Sequence, residues 1–146
     1  MNGPIVVGTD GSDTASVAVA TATTLAKTFH QPLHVMSAYH LQASGGTGLP
    51  AEVAVLATPY AWVESLLADE AVRARLAGVD VITHAKIGNA AEALLDLAEE
   101  ISASMIVVGN RGIGSKSRFI LGNVPSRVVH HAPCSVFVVN TTGVPQ

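Results

Sequence analysis

The sequence has little cysteine, little charge and no long apolar run, and each shortage removes a class of protein. Cys134 is the only cysteine among 146 residues, so an intrachain disulfide is excluded and no thiolate metal cluster can be assembled within one chain. Charged residues make up 13% of the chain against 49% apolar residues, the reverse of the balance that keeps disordered chains open. No apolar stretch reaches the ~20 residues that a membrane helix needs. The opening MNGPIVVGTD has neither the basic nor the hydrophobic region of a secretory signal. The expectation is a globular chain in a reducing, cytoplasmic compartment, with no membrane partner. A net charge of -3 gives no general attraction to nucleic acid either.

Acidic residues are missing from the last third of the chain, where none follows Glu100. That stretch holds Arg111, Lys116, Arg118 and Arg127 with His130 and His131, a local positive charge suited to a small anion. Any one of these cations alone reads as solvated surface. Their clustering around glycines favours an anion site.

A chain of this length is expected to form one domain over residues 1–146. PIVVGTD at 4–10 is a short run rich in β-branched residues and reads as a buried strand ending in the turn Asp10-Gly11-Ser12. Ala18, Ala22, Leu25, Ala26 and Phe29 then recur at helical spacing. LHVMSAY at 33–39 predicts a second strand, and the Gly/Ser-rich stretch after it a mobile surface loop at about 40–58. Val63, Leu66, Leu67, Ala71 and Ala74 mark a second helix, with Pro59 near its start and Gly78 beyond its end. VDVITHA at 79–85 predicts a third strand. Asn89 followed by Glu92 resembles a capping arrangement for a helix carrying Ala91, Leu94, Leu95, Ala98 and Ile101. SMIVVGNRG supplies a fourth strand, residues 124–131 a short helix with Pro125 in its first turn, and CSVFVVN at 134–140 a fifth strand. Strict alternation of apolar strands and helices predicts an α/β fold, a parallel sheet covered on both faces. In such sheets ligands bind beyond the carboxyl ends of the strands, where Asp10, Ala38 and Gly109 fall.

The most informative stretch is IVVGNRGIGSKSRFILGNVPSR at 106–127, where a strand opens into Gly109, Gly112 and Gly114 before Gly122-Asn123 starts a helix. Glycines let backbone amides approach an anion, and a helix N-terminus adds free donors and a favourable dipole. Ordinary turns use glycine as well, so spacing must decide. A dinucleotide fingerprint would need glycine at Ser117, and a Walker A loop would need lysine at Ser115, so both motifs fail.

The spacing that is present, G-x2-G-x9-G-[S/T] at Gly109, Gly112 and Gly122, resembles the ATP-binding signature of the universal stress protein family. VVGTDGS at 6–12 and VPSRVVHHAPCSVFVV at 124–139 resemble the family's first strand and turn and its last helix and strand. The resemblance implies an open five-stranded parallel sheet of the adenine nucleotide alpha-hydrolase-like type and an ATP-type ligand, with or without magnesium. On this chain it places Gly8, Thr9 and Asp10 against the adenosine and Ala38 beside the base. Gly109, Gly112, Gly122, Asn123 and Val124 would surround ribose and phosphates. Arg111 is added from its charge and position. Asn123 stands where the family pattern has Ser or Thr, and its amide can still donate to a phosphate or cap the helix.

Other chemistry is weaker. Asp10 could act as a catalytic acid, bind a metal through the nucleotide, or hold the turn, the last or a ribose contact being favoured. Glu92, Asp96, Glu99 and Glu100 are explained by the polar face of their helix, which leaves no dedicated hydrolytic base. Adjacent His130 and His131 with Cys134 lack ligand spacing, so no metal is expected. Two functions remain: a nucleotide-binding regulatory protein, and a nucleotide-independent dimeric interaction module, with cyclic AMP as an alternative ligand in the same cleft. In either, the fifth strand is expected at a sheet edge as a homodimer contact, as the resemblance also implies.

Overall fold

A computed structural model describes residues 1–41, 58–111 and 120–142, and in them the strands and helices alternate throughout. In chain order they are β1 (Ile5–Gly8), α1 (Asp13–Phe29), β2 (Leu33–Tyr39), α2 (Pro59–Leu76), β3 (Val81–Ile87), α3 (Ala90–Glu100), β4 (Met105–Gly109), α4 (Asn123–His131) and β5 (Ser135–Val139). The strands form one parallel sheet in the order β3-β2-β1-β4-β5, with Ile5 of β1 level with Leu33 of β2 and Met105 of β4.

Period-two alternation divides each central strand between two cores. Ile5, Val7, Leu33, Val35, Met105 and Val107 point to one face, which α1 covers with Ala18, Val19, Ala22 and Ala26 and α2 with Val63, Leu67, Ala71 and Ala74. Val6, Met36, Ile106 and Val108 point to the other, under Ala91, Leu94, Leu97 and Ala98 of α3 and Val128 of α4. Alanine on α1 lets that helix lie close to the sheet. Leu94 and Ile106 are 1% and 0% exposed, and truncating either to alanine costs about 2–5 kcal/mol.

Each helix begins where its sequence supplies a cap. Ser12 Oγ accepts from Ala15 N, Thr58 Oγ1 from Ala61 N and Asn89 Oδ1 from Glu92 N. The return half of the capping box does not form, because Glu92 instead pairs with Arg127 of α4 at 3.2 Å.

Two boundaries differ from the sequence reading. β1 ends at Gly8 rather than residue 10, because Thr9 and Asp10 turn toward α1. β3 runs over 81–87 rather than 79–85: Val79 N donates to Ala74 O, so Val79 closes the end of α2 after Gly78 turns at φ 86°. β3 also departs from the expectation of strands buried on both faces. It is an edge strand, with Ile82 and Ile87 exposed. β5 lies at the other edge, as its sequence suggested. Phe29, read as part of the apolar face of α1, is exposed in its last turn, where the helix runs past the core. The loop expected at about 40–58 lies, apart from its ends, outside the described residues.

Candidate functional site

Strand order reverses direction at β1. The chain leaves β1 into α1 on one face and leaves β4, its neighbour, into α4 on the other, so the two connections diverge and open a cleft at the carboxyl end of the sheet. The cleft encloses about 620 Å³, within the range of small-molecule sites. Its floor and walls are apolar: Ala15 and Ala18 of α1, Met36 and Ala38 of β2, Ala90 and Leu94 of α3, Val108 of β4, and Val124 and Pro125 of α4. Gly8 completes the floor, and a Cβ there would lie 3.0 Å from Leu94 Cδ1.

The first lip is the turn between β1 and α1. Thr9 N donates to Met36 O at 2.9 Å, and Thr9 Oγ1 accepts from Gly11 N at 3.2 Å. Asp10 Oδ1 accepts from Ser12 N at 3.0 Å, which makes the carboxylate a turn-holding group. The helix cap is Ser12, whose hydroxyl also lies 3.0 Å from that of buried Thr14. Gly11 sits at φ 82°, in the left-handed region that favours glycine. Thr9, Asp10, Ser12 and Thr14 give this side of the cleft its polar atoms.

The second lip is built by Asn110. Its N–H donates to Val139 O at 2.9 Å, its C=O accepts from Gly122 N at 3.0 Å, and its Oδ1 accepts from both Thr141 N at 3.0 Å and Thr141 Oγ1 at 2.6 Å. One asparagine thus ties the end of β4 to the end of β5 and to the start of α4. Thr141 is fully buried beneath it. Its Cγ2 lies 3.4 Å from where a Cβ on Gly109 would stand.

Gly122 is the N-cap of α4, without a side-chain cap, at φ -61° and ψ 167°, extended backbone that any residue adopts. Asn123 is the first helical residue and not the cap, which corrects one role expected for it. Its N–H and that of Val124 lie ahead of the first intrahelical bond, Ser126 N to Gly122 O, and Pro125 has no N–H to offer. These amides sit at the positive end of the helix dipole. Arg111 lines the cleft, and its Nε is the one buried side-chain nitrogen or oxygen without a hydrogen-bond partner among the described residues. A buried donor without a partner costs free energy unless a ligand completes it.

Of the residues singled out in the sequence, Gly8, Thr9, Asp10, Ala38, Gly109, Arg111 and Val124 line this cleft. Gly122 and Asn123 stand at the start of α4 but not in the lining, and Gly112 lies outside the described residues, as do Lys116 and Arg118. The rest of the basic cluster is dispersed: Arg127 is held by Glu92, and His130 Nδ1 lies 2.8 Å from Ser126 O. Among the described residues no three His, Cys, Asp or Glu side chains are grouped to hold a metal. Sequence reasoning missed Ser12, Thr14, Met36 and Leu94 as lining, and Asn110 and Thr141 as the clamp.

The fold and cleft define a doubly wound α/β domain with a ligand site at its topological switch point. The chain belongs to the universal stress protein family, whose model matches residues 1–140. It is 36% identical over 142 residues to a universal stress protein of Mycobacterium tuberculosis, covering 94% of this chain and 96% of that protein. A universal stress protein of Methanocaldococcus jannaschii is 33% identical over 143 residues, covering 92% of this chain and 80% of its own. Among solved structures, a universal stress protein in complex with cAMP superposes with a TM-score of 0.74 at 30% identity, covering 96% of this chain and 98% of that one. No helix among the described residues is long and apolar enough to cross a membrane.

Proposed function

We propose that this protein is a cytoplasmic regulatory protein of one domain that binds an adenine nucleotide in the cleft between β1 and β4. The observation that carries the reading is the pairing of an apolar slot with an unpartnered buried donor. Met36, Ala38, Leu94 and Val108 suit the flat faces of a base, while Arg111 Nε and the free amides of Asn123 and Val124 suit a phosphate. Gly8, Thr9 and Asp10 meet the adenosine, and Gly109, Gly112 and Gly122 let the backbone approach ribose and phosphates. The solved relative with cAMP supports an adenine ligand and favours testing cAMP beside ATP.

A binding role is preferred to catalysis. Asp10 is the one carboxylate among the lining residues, it is already engaged by Ser12 N–H, and no lining histidine or lysine stands near it as an acid–base partner. Nucleotide turnover is therefore expected to be slow.

Calorimetric titration of nucleotide-free protein with ATP and with cAMP, each with and without magnesium, tests the reading. Ala38→Phe fills the slot from β2 and is the matched variant. Saturable binding by the wild type, lost in Ala38→Phe, is expected. No binding of either nucleotide by folded wild-type protein overturns the reading and leaves the nucleotide-independent interaction module.

A further inference from the structure

The chain contains two tyrosines and one tryptophan, and all three gather where the first lip of the cleft meets α2. Tyr39 follows the lining residue Ala38 at the end of β2, and its ring lies 5.6 Å from that of Tyr60 in the first turn of α2. Trp62, two residues on, is 58% exposed. A tryptophan placed only to fill a core would be buried far more deeply.

The buried part of Trp62 touches one place of consequence. A Cβ built on Gly11 would lie 3.0 Å from Trp62 Cη2 and 3.3 Å from its Cζ2, with Leu66 Cδ2 at 3.4 Å. The outer edge of the indole therefore rests on the backbone of Gly11, at the residue with φ 82° that turns the chain from β1 into α1. On either side of Gly11 stand Asp10 and Ser12, which both line the cleft and are bonded to each other across the turn. The turn lacks any cover of its own at this point, since Gly11 has no side chain and Asp10 is exposed.

We propose that Trp62 is a positioning residue for the cleft, bracing the Gly11 turn from outside so that Asp10 and Ser12 keep the geometry a nucleotide meets. The inference rests on the adenine-nucleotide reading above. A turn held in its binding conformation before the ligand arrives loses less entropy on binding, so the brace raises affinity without touching the ligand. The ring in turn reports on the site: ordering of the turn by a ligand changes the surroundings of the one indole in the chain.

Trp62→Phe tests this, because phenylalanine keeps an aromatic ring on α2 but lacks the outer indole edge that carries Cη2 and Cζ2. ATP and cAMP are the probes. The variant is expected to keep the wild-type circular dichroism spectrum and to bind whichever probe the wild type binds about tenfold more weakly. Titration of the wild type is expected to shift or quench indole emission, saturating at the same concentration as the calorimetric signal. A shorter replacement, Trp62→Leu, should weaken binding at least as far. Wild-type affinity in Trp62→Phe, or unchanged indole emission at calorimetric saturation, overturns the brace while the nucleotide reading stands. Wild-type protein that binds neither probe removes both.

Discussion

Arg111 is the residue whose surroundings are least complete, with Nε buried and unpartnered at the edge of an otherwise apolar cleft. A hydrogen bond to a charged group is worth about 1.5–3 kcal/mol, so Arg111→Ala should weaken nucleotide binding by about ten- to a hundredfold. Calorimetry with the preferred nucleotide checks this, and unchanged affinity would place the phosphate elsewhere. A second residue-scale device lies away from the cleft. His34 of β2 and His84 of β3 stand with Nδ1 and Nε2 at 2.8 Å and their rings stacked at 5.1 Å. Burial lowers the pKa of both. His84 is lowered further by the charges of His34 and Lys86, against which Glu100 works. Both are held neutral in the fold, whereas the unfolded chain takes up protons near the ordinary value of about 6.5. Stability from this pair is therefore fully present above that pH, falls as the pH drops below it toward the lowered folded values, and levels off beneath them. Urea midpoints measured from pH 7.5 to pH 5 should decline less steeply in a His34→Gln, His84→Gln double variant. Identical slopes would discount the pair.

The elements β4 and α4 meet through Asn110, and what holds them is a side chain rather than a packing face. Asn110→Ala would leave the hydroxyl and N–H of fully buried Thr141 without their acceptor, a loss of about 1–3 kcal/mol. Chemical denaturation should show that loss, and nucleotide affinity should fall with it because Gly122 and the start of α4 are tied to the same residue. A stable variant with normal binding would mean the clamp is redundant. Asn110 was hidden in the sequence because its partners are 12 and 31 positions away, and spacing signals report only local neighbours. The same limit explains Met36 and Leu94. Periodicity marks them as inward-facing, which they are, but cannot tell a residue under a helix from one at the open end where two helices part. By contrast, Gly8, Thr9, Asp10, Ala38 and Gly109 were legible because they terminate strands, and the alternation of elements already placed those ends together. Ser12 against Asp10 as the cap of α1 was not decided by sequence, since both are good caps and the one-turn difference depends on where β1 lets go of the sheet.

At the scale of the molecule, the strand order left two edges, and they differ in a way the sequence already contained. β3 reads VITHAKI and carries Lys86, a charge of the kind that discourages a strand from pairing with another copy. β5 reads SVFVV, bears no charge, and exposes Phe137 and Val138 beside half-exposed Val129 of α4. Unpaired backbone groups along an uncharged apolar edge favour closure by a second copy about a two-fold axis, and this edge is the proposed homodimer contact. A lysine in the middle of it would have to be desolvated on pairing, so Val138→Lys should shift the protein from twice the protomer mass toward the protomer in light scattering after gel filtration. Ile82→Lys on β3 is the control, an equally drastic change at an exposed edge position that should leave the mass unchanged. Loss of the dimer in Ile82→Lys but not in Val138→Lys would move the interface to the opposite edge. A wild-type protein that elutes as a protomer at every concentration would show that the β5 edge is left open in solution. Because the cleft opens at the strand ends and not along the edge, nucleotide binding by Val138→Lys should remain intact, which separates the two surfaces in one variant.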